Sequence, residues 1–162
     1  MKFVTIPQFI KIMGPNSFNF SHAINELDDW RNILIFWIWK IKNRWVNFDV
    51  DFKLQIIDNY AFNNLSIKSI VIPNSVEIIG EYAFLNKLQL IEIKKDSKLQ
   101  KLDEFAFSET QIKSIFIPSY TKIIDKYTFS YCKKLQRVDI SDDSELQIID
   151  EFAFGKSAIK CF

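Results

Sequence analysis

The chain has 162 residues, 48% of them hydrophobic, with 21 Lys+Arg against 20 Asp+Glu, which is enough apolar content for one continuous core in a single domain. A net charge of +1 excludes an electrostatically driven nucleic-acid binder, and 3 Gly with 4 Pro exclude a disordered linker or collagen-like chain. One histidine, His22, cannot build a multi-histidine metal site, and Gly14, Gly80 and Gly155 lie too far apart for a phosphate-cradling loop; no cofactor is expected.

The first residues, Met1 to Pro7, hold one basic residue and a broken apolar run, a poor match to a secretion signal. The stretch Val4-Thr-Ile-Pro7-Gln-Phe-Ile10-Lys-Ile-Met-Gly14-Pro-Asn-Ser-Phe18 overlays Ile70-Val-Ile-Pro73-Asn-Ser-Val76-Glu-Ile-Ile-Gly80-Glu-Tyr-Ala-Phe84 at an offset of 66, or three periods of 22. Residues 22–44 follow, crowded by Trp30, Trp37 and Trp39 with Trp45 just beyond. Two readings compete there, a degenerate repeat and an inserted helix. The degenerate repeat is favoured because Phe18 and Phe62 are two periods apart. The tryptophans are read first as core filling for that irregular unit. An amphipathic surface for a partner or membrane interface comes second and a base-stacking platform last. The apolar run Ile33 to Trp39 is far short of the ~20 residues a spanning helix needs, so no transmembrane segment is expected.

From residue 54 the sequence repeats itself. Leu54-Gln-Ile-Ile-Asp-Asn-Tyr-Ala-Phe62 returns as Val76 to Phe84, Leu99 to Phe107, Thr121 to Phe129 and Leu146 to Phe154, so the marker phenylalanines step by 22, 23, 22 and 25. Between markers runs apolar-x-x-apolar-x-apolar: Ile67/Ile70/Ile72, Leu88/Ile91/Ile93, Ile112/Ile115/Ile117 and Leu135/Val138/Ile140. The period-two end of that pattern predicts a strand buried on one face, and repetition stacks such strands in parallel. Asp, Glu and a small Ala before each Phe predict a short helical or 3-10 turn. Corners of alternating length separate strand from marker segment, and the short ones carry Pro73 and Pro118, which end a strand without losing a ladder bond. The expectation is one solenoid over 1–162, with 54–162 regular and both ends open to self-association or to neighbouring repeats, since solenoid ends need caps and none is legible.

These units, with Ile-Pro closing the strand and Ile-Gly-x-Tyr-Ala-Phe opening the return, resemble the BspA-like leucine-rich repeats. The resemblance implies an α/β leucine-rich-repeat solenoid, with a parallel sheet on one face and short helical turns or short strands on the other. It implies, more loosely, a non-enzymatic role in protein binding or adherence at a cell surface. The competing expectation is a structural spacer or a truncated piece of a longer array.

Alternation along the strand sends Asn47/Ser69/Leu90/Ser114/Arg137, Asp49/Val71/Glu92/Phe116/Asp139 and Asp51/Pro73/Lys94/Pro118/Ser141 outward in three columns. Val71, Leu90 and Phe116 are expected to form an apolar centre rimmed by Asp49, Glu92, Arg137 and Asp139, the anatomy of a protein-interaction patch. The bland alternative is ordinary scattered surface residues. The recurring Asp58, Asp103, Asp125 and Asp150 are better explained by bonding to local backbone than by acid–base chemistry. Cys132 is expected as a small apolar thiol, although Lys133 and Lys134 beside it raise the alternative of a lowered pKa.

Overall fold

A computed structural model describes the backbone of residues 3–6, 12–13 and 44–48, and residues 54–63, 67–85 and 87–160 in full. Among the described residues twelve short strands follow one another, β1 (Phe3–Ile6), β2 (Ile12–Met13), β3 (Arg44–Phe48), β4 (Ile56–Ile57), β5 (Ile67–Val71), β6 (Ile78–Ile79), β7 (Leu90–Glu92), β8 (Lys101–Leu102), β9 (Ser114–Ile117), β10 (Ile123–Ile124), β11 (Arg137–Ile140) and β12 (Ile148–Ile149). Odd-numbered strands make the front of a coil and even-numbered strands its back, and every pairing is parallel. One turn of chain therefore contributes one front strand and one two-residue back strand to a parallel β-solenoid.

The back is continuous, in the order β12-β10-β8-β6-β4-β2, whereas the front is split into β1-β3-β5-β7 and β11-β9. Ile70 pairs with Ile91 and Ile115 with Val138, as the apolar pattern requires, but no ladder joins β7 to β9. At the start of the chain β1 bonds directly to β3 and β2 directly to β4, so no described strand stands between them. The unit expected at 22–44, with its tryptophans, lies outside the described residues.

Between the two sheets runs the core. Ile70, Ile72, Ile79, Leu99, Leu102, Ile112, Ile115, Ile117 and Ile124 are buried there. The marker rings form a single file: Phe62, Phe84, Phe107, Phe129 and Phe154 stack at 4.9, 5.2, 5.4 and 5.2 Å between centroids. A second file, Tyr60, Tyr82, Phe105, Tyr127 and Phe152, runs beside it at 5.1, 4.7, 4.9 and 5.5 Å. The buried Ala61, Ala83, Ala106 and Ala153 lie between the two, where nothing larger than the Thr128 of the fourth unit is used.

The helical turns expected before each marker are absent from the described residues, and the alternative of short strands on the second face holds. The reason lies in the backbone of the second aromatic file. Tyr60, Tyr82, Phe105, Tyr127 and Phe152 all have φ between 52° and 59°, a left-handed conformation that ends any helix at its first turn. Such residues cost ~1–3 kcal/mol each unless the surroundings fix them. Here the next coil does so. Tyr60 N–H donates to Glu81 O (2.8 Å), Phe62 N–H to Ala83 O (2.9 Å), Phe84 N–H to Ala106 O (2.9 Å) and Phe107 N–H to Thr128 O (2.9 Å).

The four corners among the described residues share one geometry. Val76 N–H donates to Pro73 O, Ser97 to Lys94, Thr121 to Pro118 and Ser144 to Ser141, each at 3.1 Å. The two longer corners add residues after that turn, and their serines hold them: Leu99 N–H donates to Ser97 Oγ (3.3 Å) and Leu146 N–H to Ser144 Oγ (3.2 Å).

Candidate binding face

The front strands place the outward side chains. Val71 lies in register with Glu92, Leu90 with Ser69, Phe116 with Asp139 and Ser114 with Arg137. Leu90 is 50% exposed, while Val71 and Phe116 are half-buried and Glu92 is exposed. Arg137 Nε donates to Asp139 Oδ1 (2.9 Å) and Oδ2 (2.7 Å), so the two rim charges bind each other along one strand. Asp49 lies outside the described residues, as do the side chain of Asn47 and all of Asp51. Leu90 and Glu92 stand on one side of the split in the front sheet and Phe116 on the other.

Three residues expected to face outward are buried: Ser69, Pro118 and Ser141. Pro118 and Ser141 open corner turns, where alternation has already ended. Ser69, in register with Leu90 on the neighbouring strand, is buried as well.

Three of the four recurring aspartates bond to local backbone as expected. Asp58 Oδ1 accepts from Asn59 N–H (2.7 Å), Asp125 Oδ1 from Lys126 N–H (2.8 Å) and Asp150 Oδ1 from Glu151 N–H (2.6 Å). Asp103 and Asp125 both pair with Lys101 (2.6 and 3.4 Å), and the hydrogen bond to Asp103 holds that ammonium above its ordinary pKa. Cys132 is fully buried and shares a hydrogen bond with Thr110 Oγ1 (3.2 Å). Burial pushes its thiol up to about 11, which overturns the lysine-lowered alternative: the lysines point to water while the sulfur sits in the core.

A stacked parallel coil closed by Ile-Pro corners and Tyr-Ala-Phe turns now stands on structural grounds, and residues 55–162 match the model of the BspA type leucine rich repeat region in 6 copies. The chain belongs to the BspA-type leucine-rich-repeat family. No curated protein sequence matches it. Among solved structures it is similar to the pneumococcal vaccine antigen PcpA, with 23% identity and a TM-score of 0.59 over 74% of this chain and 36% of that one. It is also similar to a leucine-rich repeat protein from Bacteroides ovatus (24% identity, TM-score 0.48, 63% of this chain and 30% of that one). A leucine rich cell surface protein from Faecalibacterium prausnitzii gives 18% identity and a TM-score of 0.48 over 63% of this chain and 33% of that one. The BspA-type chain thus spans about a third of each of these structures. Among its described residues no helix is long and apolar enough to cross a membrane.

Proposed function

We propose that this BspA-type solenoid is a non-enzymatic recognition module whose front strand face binds a protein partner, in the manner of surface and adhesion repeats. The observation that carries this reading is Leu90, half exposed on a strand whose other apolar residue, Ile91, is buried. Val71 and Phe116 flank it, and Glu92, Arg137 and Asp139 supply a polar rim. An apolar centre with a charged border is the usual anatomy of a protein interface. The split between β7 and β9 adds to it, because the face is not levelled there by a continuous ladder.

The test is substitution of Val71, Leu90 and Phe116 by serine in one chain. Capture of a cell-surface protein by the unaltered chain should be lost in the triple variant, with a melting temperature within a few degrees. Equal capture by both proteins would leave the coil a spacer within a longer array.

A further inference from the structure

Charge in this chain is sorted by its place in the coil. The turns that follow the back strands, at 58–60, 80–82, 103–105, 125–127 and 150–152, hold Asp58, Glu81, Asp103, Glu104, Asp125, Asp150 and Glu151 against Lys126 alone. The segments that lead into the front strands, at 63–68, 85–89, 108–113, 130–136 and 155–160, show the reverse: Lys68, Lys87, Lys113, Lys133, Lys134, Lys156 and Lys160 against Glu109 alone. The overall charge of +1 conceals an edge that is strongly basic.

All seven of those lysines are exposed, and among the described residues none is in an ion pair, whereas Lys101, Lys122 and Arg137 elsewhere each pair with an acid. Seven like charges gathered against the single acid Glu109 repel one another, and an anion relieves that repulsion. On the same edge a cavity of about 520 Å³ opens between Glu109, Thr110 and Gln111 of one coil and Tyr131, Lys133 and Lys134 of the next. Lys134 Nζ bridges its two walls by donating to Gln111 Oε1 (3.0 Å). Lys156 Nζ sits 4.8 Å above the Tyr131 ring and donates to its hydroxyl (3.1 Å).

We infer that this edge binds a linear anionic polysaccharide, seated on the cavity and running along the coil axis. The spacing of the groups selects that ligand. Backbone bonds place Lys68 beside Gln89, and Lys113 beside Gln136 beside Lys160, on successive coils. Ammonium and neutral amide therefore alternate, and Lys113 and Lys160 lie two strand spacings, ~10 Å, apart. A pyranose ring advances a chain by roughly one coil, so a sugar polymer charged on alternate units meets a lysine at each anion and a carboxamide at the hydroxyls between. A single-stranded polynucleotide carries a charge on every unit and wants open aromatic faces for its bases, but Tyr131 is covered by Lys156. An extended acidic peptide presents the carboxylates of one face every second residue, ~6.6 Å apart, out of step with a ~10 Å interval.

The experiment uses the whole chain and hyaluronan, whose carboxylates fall on alternate sugars, with a thymidine oligonucleotide and polyglutamate as competitors at equal charge. Lys113, Lys133, Lys134 and Lys160 are changed together to Gln, and a control variant changes Lys94, Lys95, Lys98 and Lys122 to Gln, so that both lose the same charge. Hyaluronan affinity should fall at least ~10-fold in the edge variant and less than ~2-fold in the control, and the salt dependence should flatten in the edge variant alone. Both variants should melt as the unaltered chain does, and the serine variant of the front face should bind hyaluronan normally. Equal losses in the two quadruple variants would overturn the inference, as would tighter binding of the oligonucleotide or polyglutamate than of hyaluronan.

Discussion

Gly80 stands where the other coils carry Asp, and its neighbours say why. Three of those aspartates, Asp58, Asp125 and Asp150, accept the backbone N–H of the next residue. In the second coil Asn59 does this from the coil before, its Oδ1 accepting from Glu81 N–H at 2.7 Å. That side chain occupies the space a Cβ at position 80 would need: the Cβ would fall 2.6 Å from Asn59 N and Oδ1 and 2.8 Å from Asp58 C. Gly80→Ala should therefore cost ~1–3 kcal/mol, as overpacking does, read as a loss in denaturant stability. Cys132 makes a pH prediction. The unfolded chain ionises a thiol near ~8.5, while the buried thiol holds its proton to about 11. Its contribution is complete below the lower value and is lost as pH rises through that interval, because only the unfolded state releases a proton, at up to ~1.4 kcal/mol per pH unit. Denaturation at alkaline pH should show a shallower decline for Cys132→Ala than for the unaltered chain.

Strands and corners were legible because their signals are local. The Ile/Val alternation located β5, β7, β9 and β11, the prolines located two corners, and the marker phenylalanines located the file. The turn before each marker was not, since Asp, Glu and Ala favour a helix and only the stacking of one coil on the next holds Tyr60 and its equivalents at positive φ. The split front was hidden in the spacing. Gln111 N–H bonds to Leu88 O, a separation of 23, yet the apolar pattern sets Ile115 against Ile91, a separation of 24. In the flanking pairs the two separations agree: 21 for Gln89 with Lys68 and for Leu90 with Ser69, and 23 for Gln136 with Lys113 and for Arg137 with Ser114. One residue slips between β7 and β9, and the ladder is lost. Amides facing that seam, in 91–93 and 114–116, should exchange with deuterium faster than those of β8 and β10, in the uninterrupted back sheet. Equal protection would show that a ladder closes there in solution.

The candidate face was read from the same periodicity that located the strands. It placed Leu90, Glu92 and Arg137 in the open, but exposure also depends on neighbours, and Ser69 is buried. The lysine edge was invisible to a count of total charge and emerges only when charge is sorted by position in the coil. All of these features depend on a coil in which each turn buries its Ile and Phe against the turns on either side, so that stability is a sum over neighbours. Deleting residues 85–107 removes one whole coil and brings Ser108 to the place of Leu85 after Phe84, restoring both aromatic files. Deleting 85–95 removes half a coil and puts both files out of step. Thermal melting followed by circular dichroism measures the difference directly. A cooperative transition kept, at lower temperature, in the whole-coil deletion and abolished in the half-coil deletion is the predicted result; loss of the transition in both, or its survival in both, contradicts a stack of interchangeable turns.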